Sequence, residues 1–232
     1  MNPGLETAHP GYVGSLPSVE QRNRVMRNTY WLLALSMVPT VLGAWIGVAT
    51  GVVSGLSPMV SLLVFLGGAF GLMYLVQKTR DSAVGVASLL AFTFFMGLML
   101  SRLLAFTLLK SNGGELIMLA FSGTGLIFFG MASLSTVIKR DLSSMGKFLF
   151  IGVVMLLVAG IANVFLQSTA LFATLAALSI GIFSAFIVYD LRQIQEGRET
   201  NYIMATLGVY LSVYNIFQSL LSLFTVFGGS DD

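Results

Sequence analysis

Asp190 ends the apolar run FSAFIVYD, which sets a carboxylate at the edge of a stretch otherwise built from apolar side chains. An ionisable group beside hydrocarbon is costly, so it is a functional candidate by default. Two readings stand. In one, Asp190 is an interfacial aspartate, solvated and paired with Arg192, and a pair of that kind contributes little. In the other, the carboxylate turns into a helix bundle and closes a gate, with Lys78 or Arg80 as its basic neighbours.

A second pattern lies further on. Ser212, Asn215, Ser219 and Ser222 recur at steps of three, four and three, which puts four polar side chains on one helical face. Tyr210 and Tyr214 lie beside them. A polar face in lipid points inward, either to bond other helices or to line a pathway. Arg102 sits near the end of its own apolar run; it either reaches the outer headgroups along its aliphatic stem or serves a pathway. The Lys78, Arg80 and Asp81 group reads most simply as a helix-end anchor.

The chemistry excluded is as informative. With no cysteine there are no disulfides, thiolate nucleophiles or cysteine–zinc sites. The single histidine, His9, lies in a polar N-terminal tail, which removes Ser–His dyads within the apolar part and HExxH zinc hydrolysis. No GxGD motif is present, and Asp190 has no second acid near a span interior, so intramembrane aspartyl proteolysis has no residues to run on. No phosphate-binding loop occurs. The reading is therefore not an enzyme, with no bound cofactor or resident metal, and nucleic acid is not an expected partner.

These residues must be positioned by membrane helices. Of 232 residues, 56% are hydrophobic and only 9% are charged, against about 25% charged in soluble domains. Mean hydropathy is +0.89. A polar tail over 1–28 holds Pro3, Pro10 and Pro17; Ser18 with Gln21 three residues on forms a capping box able to extend the first helix. A seven-helix transmembrane domain follows over 29–232. A span needs about 20 apolar residues, and seven such runs fall at 29–50, 58–76, 83–105, 116–138, 148–166, 170–189 and 202–227. The break at 167–169 is the shortest, so spans five and six are the pair most open to a different division.

Basic residues give the orientation. Arg22, Arg24, Arg27, Lys78, Arg80, Lys139, Arg140, Lys147, Arg192 and Arg198 fall on one side of a seven-span chain, against Arg102 and Lys110 on the other. Ten against two places the N-terminus in the cytoplasm and the C-terminus outside. Gly43, Gly47 and Gly51, then Gly67 and Gly71, then Gly123, Gly125 and Gly130 read as close helix packing. Such repeats serve packing within a chain or between chains equally, so they assign no oligomeric state.

FSAFIVYDLRQI resembles the signature of the Bax inhibitor motif family of seven-helix membrane proteins. KRDLSSMGKF is similar to that family's basic-Asp-Leu-Ser loop. GRETNYIMATLGVYLSVYNIFQSLLSLF and VMRNTYWLLALSM resemble its proteobacterial YccA-like subgroup, and the resemblance runs from about residue 23 to the end. It implies an all-α, polytopic fold with six helices around a central last helix, in the bacterial inner membrane. For some members it implies a pH-sensitive calcium leak gated by two aspartates, with calcium as the transported ion. One of these matches Asp190. The other is expected in a pattern like YLDFxN, where this chain reads YLSVYN and places Ser212. A lone aspartate facing serine cannot share a proton as a coupled pair does. For the YccA-like subgroup the resemblance implies a different role, as a modulator of the membrane protease FtsH, which would be the partner.

Overall fold

The computed structural model describes residues 17–138, 142 and 144–228. Among these residues the chain forms seven helices: α1 (Val19–Thr50), α2 (Pro58–Thr79), α3 (Ala83–Leu108), α4 (Gly113–Val137), α5 (Met145–Leu166), α6 (Thr169–Gln195) and α7 (Tyr202–Phe227). All seven are long and apolar enough to cross a membrane. His9 and, within the KRDLSSMGKF loop, Lys139, Arg140, Asp141 and Ser143 lie outside the described residues.

Local chemistry sets the helix ends. Ser18 caps α1, its hydroxyl accepting from the Gln21 amide at 3.2 Å. The 32-residue α1 would run about 48 Å at 1.5 Å per residue, well beyond a hydrocarbon core of about 30 Å. Its polar first turns carry Arg22, Arg24 and Arg27 out of that layer. Ser57 caps α2 ahead of Pro58, which sits at a position where the missing amide costs nothing. Between α5 and α6 the break is real and sharp. Gln167 takes a left-handed conformation at φ 52° and ends α5, and Ser168 caps α6 by accepting from the Leu171 amide.

The core is built around α7, which packs against α1, α2, α3, α4 and α6, while α5 lies outside and packs against α6. The α1–α3 pair is the most extensive contact. It closes tightly because a Cβ at Gly43 would collide with the Phe94 carbonyl, and one at Gly97 with the Thr40 carbonyl. Buried hydroxyls are satisfied mostly on their own helices. Thr29, Thr107, Thr206 and Thr225 each donate to a carbonyl one turn back, which keeps polar groups out of contact with hydrocarbon.

Hydrogen bonds between elements tie α7 in place and define two ends. The Tyr210 hydroxyl shares a bond with Thr40 Oγ1 at 2.9 Å, Tyr214 donates to the Met96 carbonyl, and Thr107 bonds Thr225. At one end, Arg22 donates to the Gln195 carbonyl and Asn201 to the Arg80 carbonyl. At the other, Arg102 reaches the α2 entry and Asn112 donates to the Gly228 carbonyl. This is the alternation that seven antiparallel spans require.

Candidate functional site

The end of the bundle holding Arg22, Arg80 and Asn201 is the more elaborate. The last turn of α6 is bound on three sides. Arg22 of α1 donates to the Gln195 carbonyl at 2.7 Å, and Gln195 Nε2 donates to Ser135 Oγ of α4 at 3.1 Å. Arg192 pairs with Glu196 one turn on, at 2.6 Å, and Glu196 also meets Arg198 at 3.2 Å. Arg192 is therefore committed to Glu196 rather than to Asp190. The α6–α7 turn passes through Gly197 at φ 73°. Glu199 Oε1 accepts from the Asn201 amide, and the Asn201 side chain caps α7 through the Ile203 and Met204 amides. The same side chain donates to Asp81 and to the Arg80 carbonyl, holding the α2–α3 turn.

Asp190 lies inside this frame, partly buried. Its side chain borders a cavity of ≈ 240 Å³ together with Gln193, Arg198 and Glu199, against an apolar wall of Met204 and Ala205. No hydrogen bond or ion pair joins Asp190 to another described residue. Its carboxylate rests on the backbone of α7: a Cβ at Gly208 would stand 2.9 Å from Asp190 Oδ2. Gly208 is the opening in α7 that admits the carboxylate. Glu199 borders the same cavity, so it has two acids and Arg198 on its walls.

The other sequence candidates distribute as follows. Ser212 is buried one turn beyond Gly208, and its hydroxyl donates to the Gly208 carbonyl at 3.2 Å rather than to Asp190. Asn215 donates to the Leu211 carbonyl at 2.8 Å. Ser219 and Ser222 are buried on the same face. Lys78 and Arg80 are exposed, and Arg80 meets Asp81 at 3.6 Å; neither pairs with Asp190. Arg102 belongs to the opposite end, where its guanidinium donates to Ser61 Oγ at 2.9 Å and to the Leu56 carbonyl at 3.4 Å, clamping the start of α2.

As site residues, sequence reasoning passed over Gly208, Gln193 and Glu199, and took Arg198 only as one of the basic residues that set orientation. For Gly208 the signal was available: it stands four residues before Ser212 and continues the stripe of small and polar residues along α7. Glu199 sits in a turn, where no periodicity marks it.

Residues 22–229 match the family model Bax1-I, inhibitor of apoptosis-promoting Bax1. The chain belongs to the Bax1-I family. The match takes in nearly all of α1 and every helix after it. Among similar proteins, the Escherichia coli K12 protein named modulator of FtsH protease YccA is 38% identical over 206 residues, covering 89% of this chain and 91% of its own. An uncharacterized membrane protein of Vibrio cholerae is 35% identical over 217 residues, or 94% and 96% of the two chains. A Pseudomonas aeruginosa protein is 38% identical over 214 residues, or 91% and 94%. The Bax1-I assignment thus rests on the whole helical domain, with Asp190 and its cavity within it.

Proposed function

We propose that this Bax1-I family member is an integral inner-membrane regulator that binds and modulates the FtsH membrane protease. The observation that carries this reading is the 38% identity, across nine-tenths of both chains, to the Escherichia coli protein named modulator of FtsH protease. Regulation rather than catalysis also suits the lack of cysteine and the placement of the one histidine in the tail. The polar tail over 1–28 and the basic end of the bundle are assigned to the cytoplasmic side, where they would be presented to the protease. The test is co-purification from membranes in mild detergent, with full-length protein and with a variant lacking residues 1–16. FtsH should be retained by the full-length protein. Loss on removing the tail would place the contact there. No retention by either form overturns the reading.

A second reading is favoured by one observation: Asp190 has no partner among the described residues and faces a cavity with Glu199. On this reading the bundle is a cation path, with calcium the transported ion and Asp190 at its cytoplasmic gate. Tyr210 and Tyr214 are buried in the core with their rings stacked, centroids 6.1 Å apart, and a path along α7 would have to displace that pair. Calcium flux into proteoliposomes decides it. A leak in wild type that changes in Asp190→Asn supports the path. Silence in wild type and Asp190→Asn, with conduction in Ser212→Asp, would mark a scaffold whose missing second acid has switched it off. Silence in all three removes the path.

A further inference from the structure

One face of α1 lies beyond residues 1–16, the segment deleted in the FtsH test, and neither reading gives it a ligand. Asn23, Met26, Arg27, Tyr30 and Trp31 fall at i, i+3, i+4, i+7 and i+8, which sets them on one side of the helix. They border a concave space of ≈ 460 Å³. Tyr30 meets Phe128 of α4 edge-on with ring centroids 6.4 Å apart, which fixes the Tyr30 ring at the edge of that space. Trp31 is 73% exposed. Arg27 is exposed, and no hydrogen bond or ion pair ties it to another described residue. The acid of α1, Glu20, is engaged with Arg24 at 3.6 Å.

The stripe spans the level at which α1 changes character. Between Ser18 and Asn28 most residues are polar or charged; from Tyr30 onward most are apolar. Tryptophan and tyrosine concentrate at that level in membrane helices, where an apolar ring carries a polar edge into the headgroup layer. An unpaired guanidinium at the same level offers a planar fork that matches phosphate oxygens. Beyond Trp31, the exposed side chains of Leu35, Val38 and Leu42 continue the face as an apolar ridge.

We propose that this stripe is a binding site for one anionic phospholipid of the leaflet at the basic end. Arg27 holds the phosphate, Asn23 and Tyr30 flank the headgroup, and an acyl chain runs past Trp31 along the ridge. Charge complementarity selects the anionic headgroup, because Arg27 pairs with no acid among the described residues, and Glu20, two turns before it on the same face, is engaged by Arg24. The lipid site can hold whether or not the protease or cation reading does, because the quenching test involves neither FtsH nor ion flux.

Trp31 can report on it directly, since the chain has two tryptophans and Trp45→Phe leaves Trp31 alone. Full-length Trp45→Phe protein is placed in phosphatidylcholine vesicles. Each contains the same minor mole fraction of brominated phosphatidylglycerol or brominated phosphatidylcholine as quencher. Brominated phosphatidylglycerol should quench Trp31 as though enriched about fivefold, the scale of one arginine at an anionic surface. Arg27→Gln should bring the two quenchers to parity, and Arg27→Lys, which keeps the charge but not the fork, should retain part of the preference, which separates charge from folding. Lys78→Gln, a change at the same end but off the stripe, should leave it unchanged. Equal quenching by both lipids in the parent overturns the proposal, as does an equal loss in Lys78→Gln, which would mean diffuse attraction. No quenching by either lipid would place a protein surface over the stripe and overturn it as well.

Discussion

At Gly208 the lack of a side chain decides where Asp190 can lie. A methyl group there would press on the carboxylate at 2.9 Å from Oδ2 and 3.3 Å from Cγ, closer than ordinary contact allows, so Asp190 would have to move into its cavity. Overpacking of this kind costs about 1–3 kcal/mol. Gly208→Ala is therefore expected to lower the thermal midpoint of the detergent-solubilised protein. In an Asp190→Ala background most of that loss should vanish, because the atoms that collide are gone. Residues in direct contact show such non-additivity, whereas independent sites add. A Gly208→Ala penalty of equal size in both backgrounds would show that the glycine serves α7 alone and not the carboxylate. The same cycle bears on how legible the site was. Asp190 stood out because a charge at the end of an apolar run is conspicuous in one dimension. Gly208 becomes meaningful only once α6 and α7 are side by side, and Glu199 only once the turn between them has folded back over the cavity. Ser212 was legible as a member of the polar face, but its bond to the Gly208 carbonyl rather than to Asp190 depends on a rotamer that spacing does not encode.

Among the elements, the helices were readable because hydropathy and capping act locally. The seven apolar runs are seven helices, and the short break at 167–169 survives because Gln167 in a left-handed turn and the Ser168 cap together stop one helix and start the next. What the helices do with their glycines was not readable. Gly43 and Gly97 face each other's helices at backbone distance, and Gly47 faces Ser101. Gly67 and Gly71 repeat with the same four-residue step, yet a Cβ on either would meet nothing within 4 Å. The step places small residues on one face; only the neighbour, fixed by the order in which helices close around α7, determines whether that face is used. The same applies to Arg102. Its position near a helix end suited a side chain stretched to the headgroups, but Ser61 and the Leu56 carbonyl lie nearer and turn it to the α2 entry. Hydrogen bonds to a charged donor are worth about 1.5–3 kcal/mol, enough to hold the start of α2 against α3.

For the whole molecule, the two ends are fixed relative to each other by contacts, and charge predicts which side of the membrane each faces. Arg22, Arg80, Gln195 and Asn201 are linked at one end, and Arg102, Asn112 and Gly228 mark the other. Ten of the twelve Lys and Arg residues fall to the first end by the alternation of spans, and cytoplasmic loops carry that excess in membrane proteins. The chain has no cysteine, so a single introduced thiol reports its side without background. Glu20→Cys and Asp81→Cys, both at exposed positions of the basic end, should resist a membrane-impermeant maleimide in intact spheroplasts and react once the membrane is opened. Ser54→Cys and Leu109→Cys, exposed at the opposite end, should react in both conditions. The reverse pattern would invert the molecule, put Asp190 and its cavity outside, and remove the basic end from reach of a cytoplasmic protease domain. A mixture in which one pair of ends labels on both sides would break the seven-span alternation itself, since each span carries the next loop across. Each substituted side chain is surface-exposed, so labelling reads topology rather than local unfolding, and the same four variants retested for FtsH retention tie the orientation to the proposed partner.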